Sequence, residues 1–427
     1  MFKNVKNPAF KRNAMILLVL GILMYYVFCV TVGEQISILA TYLSAETGWN
    51  PNAIVLPITY AGILSIAFTF LCNTAFMKFN AKHVIVGATA VVGVGFALIG
   101  LSSTILNFTL FFATLFVIRS IVTFLNNGCN YLCGNWFSEN RGKALGVVTI
   151  GGPLSSATFI ALATCCCCWR ASFGVNSSLG FSGIYYIIGA LIVVMAIVMG
   201  IFLKNSPEEI GAYPDGADKP PQALPDQQKK EPGITITALL KRADTWLLVL
   251  SFGLLVFGSS CITAFFTATM IAKGVTAGYY LPALTAGAII GMPISYILGM
   301  IDDKFGTVKA SLCLCALYVV CFLGIILTNG NNILTIIIAT IGMAGVTGGA
   351  PNLTPSINFY VFGQKDYLAA TRVIGTLQSI IGAFAVTFIA AFVSSGRANT
   401  GYTILIGFVA VAAVALMIIG KLHPNKK

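Results

Sequence analysis

Twelve apolar runs follow one another along the 427 residues, and this feature fixes the kind of structure open to the chain. They fall at roughly 13–43, 52–74, 83–103, 106–132, 143–166, 181–203, 245–272, 277–300, 309–328, 333–358, 367–394 and 400–420. At ~1.5 Å per helical residue, about 20 residues cross the ~30 Å hydrocarbon core of a bilayer, so each run is long enough to span it. Hydrocarbon offers no partner to a backbone N–H or C=O, which leaves only helices and closed barrels as spanning structures. Continuous apolar runs of this length, without the alternation of a barrel strand, select the helix. The expectation is an all-α membrane protein of twelve transmembrane helices.

Composition closes off the alternatives. With 57% hydrophobic and only 9% charged residues, the chain cannot cover a water-facing surface. Its net charge of +12 would suggest nucleic acid in a soluble protein. Here the charge lies in the loops and reads as topology, and no nucleic-acid partner is expected. Lys3, Lys6, Lys11 and Arg12 precede a first run too long for a cleaved signal peptide, so the first run is read as an uncleaved span. With the N-terminus in the cytosol, 21 of the 25 Lys and Arg fall on the inner side, all except Arg119, Arg170, Lys273 and Arg397. The expected location is a plasma or inner membrane, crossed many times, with both termini cytosolic.

Six spans precede a polar insert and six follow it, giving residues 1–203 and 244–427 as two six-helix bundles. The insert, 204–243, carries Pro207, Pro214, Pro220, Pro221, Pro225 and Pro232 among mixed charges and reads as a cytosolic linker that cannot fold alone. Its last part, Ile234 to Arg242, is expected to form a short interfacial helix with Leu239 and Leu240 toward lipid, leading to Trp246. The halves repeat. Asn73–Asn80 (NTAFMKFN) aligns with Gly299–Gly306 (GMIDDKFG) at an offset of 226, and the same offset carries the loop at Trp136-Phe137 onto Phe362-Gly363.

Within this frame the polar residues inside spans mark candidate sites. Arg119 sits halfway along the fourth run, where a charged side chain costs at least ~2.5 kcal/mol unless it faces water or a partner. Helical spacing places Thr123, Asn126, Asn127 and Asn130 on its face, with Phe116 and Phe112 above. The guanidinium fork suits a carboxylate or another oxyanion. Glu34 is the only acid within a span, on a face with Tyr26, Thr31, Ser37 and Thr41. It lies toward the outer end of the first span while Arg119 is near mid-depth, so a direct pair requires tilt. The second half offers Ser260, Thr263 and Thr267, then Asn352 and Thr354 between Pro351 and Pro355, then Arg372, Thr376 and Ser379. Cys165 to Cys168 point in four directions on a helix with no histidine near, so they read as packing residues with a disulfide left open and no metal. No nucleophile with its base and no phosphate loop is visible, and neither enzyme activity nor a cofactor is expected.

Gly299-Met300-Ile301-Asp302-Asp303-Lys304-Phe305-Gly306 is similar to the G-x-x-x-D-[RK]-x-G loop of the major facilitator superfamily, and Arg119 is placed like the arginine of that family's fourth-helix motif. Asn135–Gly146 (NWFSENRGKALG), Pro207–Gly216 (PEEIGAYPDG) and Phe362–Tyr367 (FGQKDY) most resemble its monocarboxylate and oxalate/formate branch. The first-half loop departs from the motif, with Asn73 for its glycine and Met77 for its acid. The resemblance implies two pseudo-symmetric six-helix bundles that rock about a mid-membrane cavity, with a cytosolic gate at Arg141, Gly299, Asp303 and Lys304. On this reading the chain is a monomeric secondary transporter of a small monocarboxylate or dicarboxylate. Arg119, Asn126, Asn130, Tyr26, Asn352 and Arg372 would line the site, and Glu34 would carry a proton unless a counter-anion drives transport. A proton-coupled exporter of neutral or drug-like solutes is the alternative, with Arg119 structural; a solute sensor on the same fold is a third reading.

Overall fold

The computed structural model describes residues 7–34, 43, 47–158, 181–217 and 234–423. Among them every regular element is a helix, and ten helical runs are long and apolar enough to cross a membrane. Ile333–Ser394, at 62 residues, is two crossings joined. Its backbone turns at Gly363, whose φ of 69° is open chiefly to glycine, and this separates the tenth span from the eleventh. Of the fifth apolar run, Arg141–Val148 and 151–158 are helical, and the rest lies outside the described residues. Twelve spans result, as expected from the apolar runs.

Several boundaries have local causes. The first, third, fourth and tenth spans each start after an asparagine, at Asn7, Asn80, Asn107 and Asn332, whose amide oxygen accepts a first-turn N–H. The fifth span bends at Thr149 and Ile150, just before Gly151-Gly152-Pro153, where proline withholds the N–H that would reach the Thr149 carbonyl. The fourth comprises Phe108–Ile121 and Thr123–Trp136.

Two buried apolar clusters hold the molecule together, one running from Phe10 to Ala212 and one from Leu239 to Ile419. The first also takes in Phe359, Tyr367 and Leu368 from the second half. Outward faces are apolar too: Met15, Val19 and Leu23 on the first span, and Ile187, Leu191, Val194, Ile197 and Ile201 on the sixth, are all exposed. Lipid, not water, is the solvent those faces are made for.

Two expectations about the insert need correction. Residues 204–217 are not open linker: Pro207, Ala212 and Pro214 are buried, and Trp136 Nε1 donates to the Lys204 carbonyl at 3.3 Å. They need not fold alone, because the first half supplies the surface. The short helix Ile236–Leu240 does form, yet Leu239 is fully buried in the second cluster and only Leu240 stays exposed. Trp246 Nε1, donating to the Leu240 carbonyl at 2.8 Å, fixes that entry to the seventh span.

Candidate functional site

The α-helix of the first span ends at Cys29 and continues as a π-helical stretch, Val30–Glu34. A π turn shifts bonding from i+4 to i+5 and misaligns carbonyls with their usual donors. Arg119 takes that opening: its Nη1 donates to the Thr31 carbonyl at 3.0 Å and the Val32 carbonyl at 2.8 Å. The guanidinium is half-buried, with donors left beyond those two bonds. Arg119 thus reaches the first-span backbone two residues before Glu34. Ser37, Thr41 and Cys165 to Cys168 lie outside the described residues.

Below Arg119 the fourth span continues its polar face. Asn126 and Asn127 are half-buried. Asn130 is buried, with Nδ2 donating to Asn126 Oδ1 at 3.4 Å and its own Oδ1 without a protein partner. Tyr26 sits on the opposing first span, where its hydroxyl accepts from Thr158 Oγ1 at 3.1 Å. Arg119, Asn126 and Asn130 thus share one helix face, and Tyr26 lies one turn before the carbonyls that hold Arg119.

The second-half candidates are placed elsewhere. Asn352 is fully buried where the fifth, eighth and tenth spans meet, its Nδ2 donating to the Ser295 carbonyl at 3.1 Å. Arg372 lies at the seam of the second and eleventh spans, with Nη1 at 3.4 Å from Thr74 Oγ1 and Cζ 4.9 Å from the Phe70 ring centre. Thr263, Thr354, Thr376 and Ser379 each donate to the carbonyl four residues back on their own helix, leaving only their lone pairs for another partner.

The residues expected to form a gate include the best-defined contact between the halves. Asp303 Oδ1 accepts from the Gly142 N–H at 2.7 Å and Oδ2 from the Lys143 N–H at 3.0 Å, so a carboxylate of the eighth span caps the N-terminus of the fifth. Lys143 Nζ stands 3.6 Å from Oδ2. An anion at a helix N-terminus gains from the unpaired N–H groups and the helix dipole, by about 0.3–2 kcal/mol. The two helices touch through glycine backbones: a Cβ at Gly299 would lie 2.2 Å from the Gly142 carbonyl oxygen. Asp302 is buried beside them and accepts from Ser356 Oγ.

Arg141 enters the same seam differently from what the sequence suggested. Its Cζ lies 4.7 Å from the Phe359 ring centre, and Phe359 stacks on Tyr367 with centroids 3.6 Å apart. Phe359 itself fits against the fourth span because Gly134 has no side chain. Gln364 Nε2 donates to Asn135 Oδ1 at 3.2 Å beside it. Lys304, expected in the gate, is exposed over the Phe305 ring at 5.2 Å, because one residue along a helix turns it ~100° from Asp303.

Read against known families, residues 15–383 match the sequence profile of the Major Facilitator Superfamily. The chain belongs to that superfamily. Among solved structures this facilitator is similar to the E. coli fucose:proton symporter FucP, at 15% identity and TM-score 0.65, with 95% of this chain and 99% of that one covered. It is also similar to the proton:xylose symporter XylE (14%, 0.67, 98% and 97%) and to the human organic anion transporter MFSD10 (15%, 0.66, 96% and 100%). At such identities the likeness is one of fold. No curated protein matches the sequence significantly. The facilitator is a multi-pass membrane protein and a secondary transporter, not an enzyme.

One functional contact was absent from the sequence reading. Asp215, in the folded start of the insert, receives the N–H groups of Ser138, Glu139 and Asn140, the Ser138 hydroxyl and the Asn140 side-chain amide, at 2.7–3.3 Å. The Pro214-Asp215-Gly216 turn was the available signal. The facilitator's loop from 138 to 143 is thus held by Asp215 on one side and Asp303 on the other. Charge-assisted hydrogen bonds of this kind contribute about 1.5–3 kcal/mol, discounted here because the loop is partly exposed. Asp215→Ala is expected to lower the thermal midpoint by a few degrees and cut uptake several-fold, whereas Asp215→Glu should recover part of both. Fluorescence-detected melting and proteoliposome flux would check it.

Proposed function

We propose that this facilitator carries a small organic anion, a monocarboxylate or dicarboxylate, by alternating access. The observation that carries the reading is Arg119: a half-buried guanidinium at the middle of a span, held by two backbone carbonyls, with donors still free for an oxyanion. Carbonyls do not neutralise it, and an anionic cargo would. Asn126 and Asn130 continue the face, and Tyr26 stands opposite. Arg372, Asn352 and the second-half hydroxyls come into reach only as the halves move. The protein works as a monomer of two six-helix bundles, 1–203 and 244–427, joined by residues 204–243. Both termini are cytosolic, in a plasma or inner membrane. Arg141, Gly299 and Asp303 close the cytosolic gate, with Lys304 at its margin.

Energy comes from a proton through Glu34 or from a counter-anion. Proteoliposome uptake decides the matter. Labelled monocarboxylates and dicarboxylates should enter saturably and exchange, while a labelled neutral sugar should not. In a Glu34→Gln variant, accumulation driven by a pH gradient should be lost with counterflow preserved if Glu34 carries the proton. Uptake of a neutral solute with none of any carboxylate would reject the reading in favour of a neutral-solute exporter, a role consistent with Arg119 acting on the first-span carbonyls alone.

A further inference from the structure

Directly above Arg119, on the side away from Asn126, the fourth span presents Phe116 and then Phe112, both half-buried. Three and seven residues along a helix place them about 4.5 and 10 Å from the guanidinium level on the same face. Across from them the second span sets Tyr60, Ile63, Leu64 and Ala67 at the i, i+3, i+4, i+7 spacing of one helical stripe. The six side chains line a wide, open groove of about 540 Å³. The Tyr60 and Phe112 rings meet at 6.2 Å across one end of it. Its size falls in the range of small-molecule sites, about 300–1,000 Å³.

The groove differs from the lipid-facing surface of the same helix. Ala113 and Val117 are exposed and lie ~100° round the helix from Phe112 and Phe116, which share the face of Arg119 instead. Arg119 follows Phe116 by about one turn on the same helix face, bonded through Nη1 to the first span, so a ligand that filled this aromatic and aliphatic groove and reached that guanidinium would be of one kind. That ligand has a carboxylate at one end and an apolar body behind it.

We infer that the substrate is an amphipathic carboxylate with an aryl or branched alkyl body, seated in the groove of Tyr60, Ile63, Leu64, Ala67, Phe112 and Phe116 above Arg119. This rests on the anion reading of Arg119 and narrows it away from oxalate and formate, which have no apolar body to bury.

The test is calorimetric titration of the purified full chain in lipid nanodiscs with acetate, isovalerate, phenylacetate and the neutral phenylacetamide. Phenylacetate is expected to bind about 10- to 100-fold tighter than acetate, the scale of burying one aromatic side group, with isovalerate between. Ala67→Trp, which fills the groove, should bring the phenylacetate-to-acetate ratio to within about threefold of unity. Ile63→Ser alters a side chain that is 63% exposed, so folding is not at stake, and it should weaken phenylacetate about two- to fivefold. Equal binding of acetate and phenylacetate, or a ratio that survives Ala67→Trp, would overturn the inference and leave the groove to lipid acyl chains. Phenylacetamide binding as tightly as phenylacetate, with Ala67→Trp weakening both, would uphold the groove and reject the anion reading.

Discussion

A leucine in place of Gly299 is expected to stop transport while leaving the protein folded and its substrate site occupied. In the closed gate the position is met by the Gly142 carbonyl oxygen at 2.2 Å and its carbon at 2.7 Å, both backbone atoms of the other half. The nearest atoms are backbone and cannot give way as a flexible side chain would, so even a methyl group forces the eighth span off the fifth. Overpacking of this kind costs up to about 3 kcal/mol, which shifts the open-to-closed ratio by roughly 100-fold. The Asp303 cap on Gly142 and Lys143 is lost with it, since those bonds of 2.7 and 3.0 Å require the same approach. Flux through alternating access needs both states, and a carrier held on one side binds without turning over. Proteoliposome flux should fall to background and calorimetric ligand binding persist. Normal flux in Gly299→Leu would mean that this seam is not a gate.

The apolar runs made the fold readable because a bilayer leaves a chain few options, and the contact between the halves was readable only where residue type alone marks it. Gly299 and Asp303 stand in a short motif, and a carboxylate within a turn of the end of an apolar run has few other uses. Asp302 and Asp215 were missed because what they hold lies far away in sequence: Asp302 meets Ser356 across 54 residues and Asp215 meets Asn140 across 75. The internal repeat would have located one more contact. The offset of 226 that relates the two halves places Met77 opposite Asp303, so the second and eleventh spans lack an acid cap. They close instead with Arg372 on Thr74 and over Phe70. The Phe359 and Tyr367 stack under Arg141 had no signal at all, since two aromatics near a loop are ordinary in a chain with 30 phenylalanines.

Arg119→Ala is expected to abolish carboxylate binding and uptake, and comparison with Arg119→Lys separates the two things this side chain does. One is structural: Nη1 donates to the Thr31 and Val32 carbonyls of the π stretch, and a hydrogen bond from a charged donor contributes about 1.5–3 kcal/mol. Alanine should therefore lower the thermal midpoint by several degrees whatever the cargo is. The other is recognition, through donors the carbonyls leave free. Lysine keeps a positive charge and can donate to one carbonyl group, but it has no planar fork to hold a carboxylate with two parallel bonds. If Arg119 binds the anion, lysine should restore most of the lost stability and leave the Kd for carboxylates at least tenfold weaker, one hydrogen bond to a charged group being about 1.5–3 kcal/mol. Binding that recovers in step with stability, or that survives in Arg119→Ala, would assign the guanidinium to the first-span carbonyls alone. In that case the charge in the span serves to hold a distorted helix, and the cargo is neutral.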